Sequence, residues 1–203
     1  VGVSGGFRKS GTVNPWNINY VVLTSSMSDP DWPDYLDLRN GLLFYFGDNK
    51  TPGNDLHETH HKGNLILKRC FDKIDQGDFD GIPPFFLFTK GGVGRDTIFR
   101  GLAVPGANSY EATDNLVAVW KTSGNTRYQN YKAVFTILDV NEIKKDWIND
   151  LEDGNVFTDN TPKVFTQWAK KRKYTPLISE KSIEYRSKDQ QLPQNVNDKR
   201  FIK

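Results

Sequence analysis

A chain of 203 residues has room for one domain with a substantial core. Its longest apolar runs, near 40–46 and 83–88, fall far short of the roughly 20 residues that cross a bilayer as a helix, and its single cysteine excludes an internal disulfide. Formal charge is only +2, yet residues 160–203 hold 11 Lys/Arg against 4 Asp/Glu, which sets +7 at that end against −5 in the remainder.

The opening, VGVSGGFRKSG, lacks the basic-then-apolar order of a signal peptide, so a reducing, cytoplasmic setting is expected. Because it begins on Val1, the chain reads as a piece of something longer. Clusters of Val, Ile, Tyr and Phe bounded by Gly, Pro, Asn and Asp then predict strands at 18–25 (INYVVLTS) and 41–47 (GLLFYFG). A helix follows over 63–77, where Leu65, Leu67, Cys70, Phe71 and Ile74 approximate a 3.6-residue period and Gly77 can end it. Cys70 lies on the apolar face and reads as core. Further strands are predicted at 84–90, 97–104, 115–122 and 131–140, and further helices at 141–152 and 161–173, the last capped by Thr161 with Pro162 in its first turn. Strands with helices inserted singly do not make regular βαβ units. The expected class is therefore α+β, with a strongly curved mixed or antiparallel sheet able to close on itself. Beyond Leu177 the periodicity stops, so 179–203 reads as a basic linker or tail, and its Lys/Arg could attract phosphates.

Several stretches resemble chemical motifs. His57-Glu58-Thr59-His60-His61 satisfies HExxH, which on a helix aims His57 and His61 at one zinc ion with Glu58 as base. The flanks oppose a helix: Thr51-Pro52-Gly53-Asn54 is a turn signal, and Gly63 follows closely. A zinc hydrolase is thus the runner-up reading. Asp139 with Glu142-Ile143-Lys144 has the outline of a nuclease core, but such a pattern arises easily by chance, and Glu142 reads instead as a charge suited to a helix N-terminus. The run Lys90-Gly91-Gly92-Val93-Gly94-Arg95 lacks the ending of a phosphate-binding loop and reads as a basic connector. Aromatics in turns beside a strand-end carboxylate are more suggestive, because rings stack on a planar base and a carboxylate accepts from the exocyclic amine of cytosine. Trp32, Tyr45, Phe46, Tyr128 and Tyr131, with Asp48 close by, are the residues in question.

Taken together, VGVSGGFRKSG, YVVLTSSMSDPDWPDYLD, FYFGDNKTPGNDLHETHHKGNLIL, IFRGLAVPG, NLVAVWKT, RYQNYKAVFTILDV and YTPL occur in an order that resembles the amino-terminal domain of AspBHI-type (MspJI-family) modification-dependent restriction endonucleases. The similarity spans 1–178. It implies an SRA-like domain, a crescent-shaped β-barrel with flanking helices, that recognises 5-methylcytosine or a related base in double-stranded DNA by flipping it into a pocket. It leaves catalysis to a downstream domain of a longer parent, through which homo-oligomers could form; no cofactor is expected, and no membrane partner is expected because the apolar runs are short. Within the resemblance, Trp32, Tyr45, Asp48 and Asn49 are expected to make the base pocket. Arg8, Lys9, His57, His60, Lys62, Lys90, Arg95, Arg100 and Arg127 are expected on the DNA backbone or in a groove. A third alternative is an interaction module whose basic tail binds an acidic partner.

Overall fold

Residues 6–91 and 96–179 are described by a computed structural model. Along Asn17–Ser25 (β2), Ile18 and Tyr20 are buried on one face and Val21, Leu23 and Ser25 on the other, so the alternation changes phase at Tyr20-Val21 and the middle of the strand is covered on both faces. Before it, Phe7–Thr12 (β1) pairs antiparallel with β2 and commits Phe7 to the core. Tyr35–Asp37 (β3) and Leu42–Phe46 (β4) form an antiparallel pair. Next come the helix Gly63–Asp75 (α1), the strands Phe85–Lys90 (β5) and Thr97–Pro105 (β6), and a single helical turn, Ala112–Asn115 (α2). Leu116–Ser123 (β7) and Thr126–Leu138 (β8) make a hairpin, and the helices Lys145–Glu152 (α3) and Lys163–Lys171 (α4) follow.

All eight strands belong to one sheet, in the order β1-β2-β5-β6-β8-β4-β3, with β7 added alongside β8. The sheet is mixed, because β2 and β5 run parallel while the other pairs are antiparallel. The α+β class is as expected, but the sheet is open: β1 and β3 end the main path, β7 is a third edge beside β8, and no ladder closes the sheet among the described residues. Side chains do the joining instead, as described below.

The expected strand at 131–140 in fact starts at Thr126 and ends at Leu138. Gly124-Asn125 forms a two-residue loop with Gly124 at φ 56°, the position where a tight hairpin turn favours glycine. One side of β8 is shared: β7 pairs with 126–133 and β6 with 135–138, while β4 takes the other side. The hairpin end, from Thr126 to Tyr131, is therefore a two-stranded ribbon that extends past β6.

The core gathers on α1, which buries Ile66, Leu67, Cys70 and Phe71 and packs against β6 and β8. Burying side chains of this size contributes roughly 1.5–3 kcal/mol each. A second aromatic group, Phe79, Phe86, Trp147, Phe165 and Trp168, binds α3 and α4 to the sheet through ring contacts at 5.4–5.9 Å. At the end of the described chain, Leu177 N donates to Ile137 O and Ser179 N to Leu38 O, so this segment lies along β8 and the β3–β4 turn. No helix of the described residues is long and apolar enough to cross a membrane.

Candidate functional site

Three strands separate β2 from β4 in the sheet, yet their ends meet. The sheet must curl to do this, and the meeting point encloses a cavity of about 340 Å³, within the usual range for a small-molecule site. Thr24, Ser25 and Ser26 line it from the end of β2, and Tyr45, Gly47 and Asp48 from the end of β4. Gly6 and Phe7 of the β1 side, and Asp29, Asp34, Lys50 and His61 from the loops, complete it.

Asp34 is the tie between the two strand ends. Its Oδ2 accepts from Ser25 Oγ at 2.5 Å and its Oδ1 from the Phe46 backbone N–H at 2.7 Å. Because β3 pairs with β4 only from Asp37 to Tyr35, the Phe46 amide would otherwise lack a partner there. Burial pushes the Asp34 carboxyl up to about 6, against hydrogen bonds from Phe46 and Ser25 that pull it down. Each oxygen has one hydrogen-bond donor and therefore spare accepting capacity.

The other two acids are more heavily engaged. Asp48 Oδ2 accepts from Gly63 N at 2.9 Å and Thr59 Oγ1 at 2.8 Å, and its Oδ1 from Asn64 N at 2.8 Å. Lys62, which precedes α1, gives no side-chain cap, so Asp48 satisfies the first amides of the helix from a distance in sequence. The approach is close: a Cβ on Gly47 would meet Asn64 Oδ1 at 1.7 Å, and one on Gly63 would meet Asp48 Cγ at 2.7 Å. Asp29 Oδ1 accepts from the Asp31 and Trp32 amides, and its Oδ2 pairs with Lys50 Nζ at 2.6 Å. Burial raises the Asp29 carboxyl, but these hydrogen bonds outweigh it and hold the group below its ordinary value.

Of the four expected pocket residues, Tyr45 and Asp48 line the cavity and Trp32 and Asn49 do not. Tyr45 is only 4% exposed, and its hydroxyl donates to Gly6 O at 3.0 Å, which fastens the β4 end to the chain before β1. Trp32 turns away, packed on Phe46 and Tyr128 at 5.5 and 5.8 Å under Lys121, although Asp29 and Asp34 of the same loop face the cavity. Asn49 is fully buried and donates to Asn54 O and Gln129 O, holding its own loop against β8. The aromatic walls are thus Phe7 and Tyr45, not a pair of turn aromatics. Asp34, Ser25 and Phe7 were missed. Asp34 does stand in DPDWPDYLD, but nothing in sequence separates it from Asp29 or Asp31, and Phe7 belongs to a polar strand with no alternation to reveal it.

The HExxH segment is not helical, since α1 begins only at Gly63. His57 Nε2 lies 3.0 Å from Tyr131 Oη with the two rings stacked, whereas His61 faces the cavity and packs edge-on to His60. No cluster of three metal-ligating side chains exists among the described residues. The helix on which the zinc reading depends is therefore missing, and that reading is withdrawn.

The basic candidates are scattered. Lys90 is exposed at the end of β5, which lies beside the β2 end because Ser25 pairs with Thr89. Arg100 Nε donates to Thr89 Oγ1 at 2.7 Å, close to the same place. Arg127 lies over the exposed ring of Trp120, 4.6 Å from its centroid, on the projecting hairpin. Lys62 pairs with Glu58 at 2.5 Å. Arg8 and Lys9 lie opposite Val22 and Val21, further back along β2 than the cavity, and Arg8 Nε is buried without a partner. Arg95 falls outside the described residues.

A sequence-family profile described as "Restriction endonuclease AspBHI N-terminal" matches residues 1–180. Among solved structures, the chain is similar to "DNA modification-dependent restriction endonuclease AspBHI", at 41% identity and a TM-score of 0.83 over 87% of this chain and 80% of that one. It is similar also to the "DNA recognition domain of the cytosine modification-dependent restriction endonuclease LpnPI", at 39% identity and a TM-score of 0.80 over 89% and 80%. The "MspJI Restriction Endonuclease in Complex with 27-mer Oligonucleotide" shares the fold, at 19% identity and a TM-score of 0.61, over 87% of this chain and 44% of that one. A search of curated proteins found no match.

Proposed function

Because the chain belongs to the family of restriction endonuclease AspBHI N-terminal domains, we propose that it is a double-stranded DNA reader that draws a modified cytosine, 5-methylcytosine or a related base, out of the stack into the cavity between β2 and β4. The observation that carries this reading is Asp34: a buried carboxylate on the cavity wall with unused acceptor capacity, flanked by the hydroxyls of Ser25 and Ser26 and the rings of Phe7 and Tyr45. A carboxylate accepts from the exocyclic amine of cytosine and rejects a carbonyl at that position. Thymine is thereby disfavoured, although its methyl group would fit as well as that of 5-methylcytosine. Asp48, the acid expected in this role, serves mainly to hold α1.

Extrusion costs a few kcal/mol, which contacts to the base edge and faces must offset. Burying one methyl group adds only about 1 kcal/mol, so the preference for 5-methylcytosine over cytosine is about fivefold unless the fit is tight. Lys90, Arg100 and Arg127, on elements that border the cavity end, are the cations best placed to hold the duplex while the base leaves it. Recognition is the proposed role, and no residue of this chain is assigned a catalytic one.

Titration of matched duplexes carrying cytosine or 5-methylcytosine at one position tests this. The wild type should prefer the modified duplex. Asp34→Asn, which keeps the shape but replaces one acceptor oxygen by a donor, should weaken modified-duplex binding about fivefold, to the level of the unmodified duplex, and so erase the preference. An unaltered preference in that variant would remove Asp34 from the base edge.

A further inference from the structure

Two loops meet at the rim of this cavity through an ion pair. Asp29 belongs to the segment after β2 and Lys50 to the segment after β4; both line the cavity, and their side chains are 27% and 48% exposed. The turn that positions Asp29 does not need the lysine, because Oδ1 already accepts the Asp31 and Trp32 amides at 3.0 and 3.1 Å and only Oδ2 faces Lys50. Around the cavity the acids are Asp29, Asp34 and Asp48, and the basic groups are Lys50 and His61. Such a lining suits the amine edge of a base and repels the phosphate that must follow it to the rim. Lys50 answers this, since an ammonium on a flexible four-carbon stem can turn from a carboxylate to a phosphate without moving the backbone.

We propose that Lys50 exchanges partners during recognition, leaving Asp29 for a phosphate of the extruded nucleotide, so that Asp29 competes with DNA for this lysine. The proposal rests on the reading of the cavity as a base site. It makes Lys50 a contact to the extruded nucleotide and not to the duplex at large, and it makes the two partners of one ion pair affect binding in opposite directions.

A double-mutant cycle tests it, with matched 5-methylcytosine and unmodified duplexes titrated against the wild type, Lys50→Met, Asp29→Asn and the double variant. Lys50→Met should weaken binding of the modified duplex by up to about fivefold, toward the level of the unmodified one, which changes little, and Lys50→Arg should retain it. Asp29→Asn, which keeps the oxygen that accepts the two amides, should tighten binding of the modified duplex when Lys50 is present and not when it is absent. Equal tightening in both backgrounds would mean only that a negative charge had been removed, and would overturn the exchange. Wild-type affinity in Lys50→Met would overturn it as well. A wild type that binds both duplexes alike would instead sink the base-site reading, and the exchange with it; that outcome is visible before any variant is made. The Lys50→Arg arm separates loss of charge from loss of fold, since it alters the same position while keeping the cation.

Discussion

Burial holds the Asp34 carboxyl at about 6, above its ordinary value of 3.8, and this sets a sign for stability as well as for binding. Between those values the folded chain keeps a proton that the unfolded chain has released, so the contribution of Asp34 to stability is fully present below 3.8 and is lost as pH rises through 6. Comparing the wild type with Asp34→Asn by chemical denaturation at pH 4 and pH 7 isolates the effect. The difference should move toward the wild type at the acid end by on the order of 3 kcal/mol. A difference that stays constant with pH would show that the carboxyl titrates normally. Binding runs the other way: only the ionised form accepts an amine with both oxygens, so the preference for modified cytosine should fade as pH drops below 6. A polar group tolerated at such a cost in a buried place is what a recognition site requires.

At the level of elements, α1 begins where a residue from the β4 end allows it to. Asp48 receives the amides of Gly63 and Asn64, and Asn64 in turn accepts from Asp48 N and donates to Leu56 O, so helix, loop and strand end are fastened in one polar network. Asp48→Ala should therefore destabilise the fold by about 1–3 kcal/mol, read as a lower denaturation midpoint with the slope unchanged. Weakened DNA binding in that variant alone would not make Asp48 a base contact, whereas wild-type stability would show that the cap is dispensable. Most elements could be read in the sequence because their apolar periods are strong: 63–77 contains α1, and the expected strands at 18–25, 84–90 and 97–104 match β2, β5 and β6 to within a residue. The failures share a cause. β1 and the outer half of β8 are largely polar segments without a continuous apolar alternation, and they owe their conformation to a neighbour's ladder, which a single-strand pattern does not display. Similarly, the helix expected from 141 starts at Lys145, as Ile143 is drawn into the core contacts ahead of the first turn.

Across the whole molecule, charge is arranged along the chain and again in space. The hairpin sequence from Leu116 to Leu138 contains Lys121, Arg127 and Lys132 and no acid, and it rises beside an acid-lined cavity. Cations that hold phosphates should act on every duplex alike, so Arg127→Ala and Lys90→Ala should each weaken modified and unmodified duplexes in the same proportion. Each should lower the slope of log K against log salt by about 0.9 if it loses one phosphate contact. A loss confined to the modified duplex would move that residue from the backbone to the base. The sequence by itself determined the α+β class, the main strands and helices, and the kinship that gave Tyr45 and Asp48 their interest, because periodicity and ordered motifs are properties of a linear string. Only the tertiary structure decided that Asp34, rather than its neighbours in DPDWPDYLD, closes the gap between β2 and β4, that Trp32 packs away from the cavity, and that HETHH forms no helix to aim two histidines at one ion. Those outcomes depend on how far the sheet curls, and curl is set by the summed packing of all eight strands, which no local stretch of residues contains.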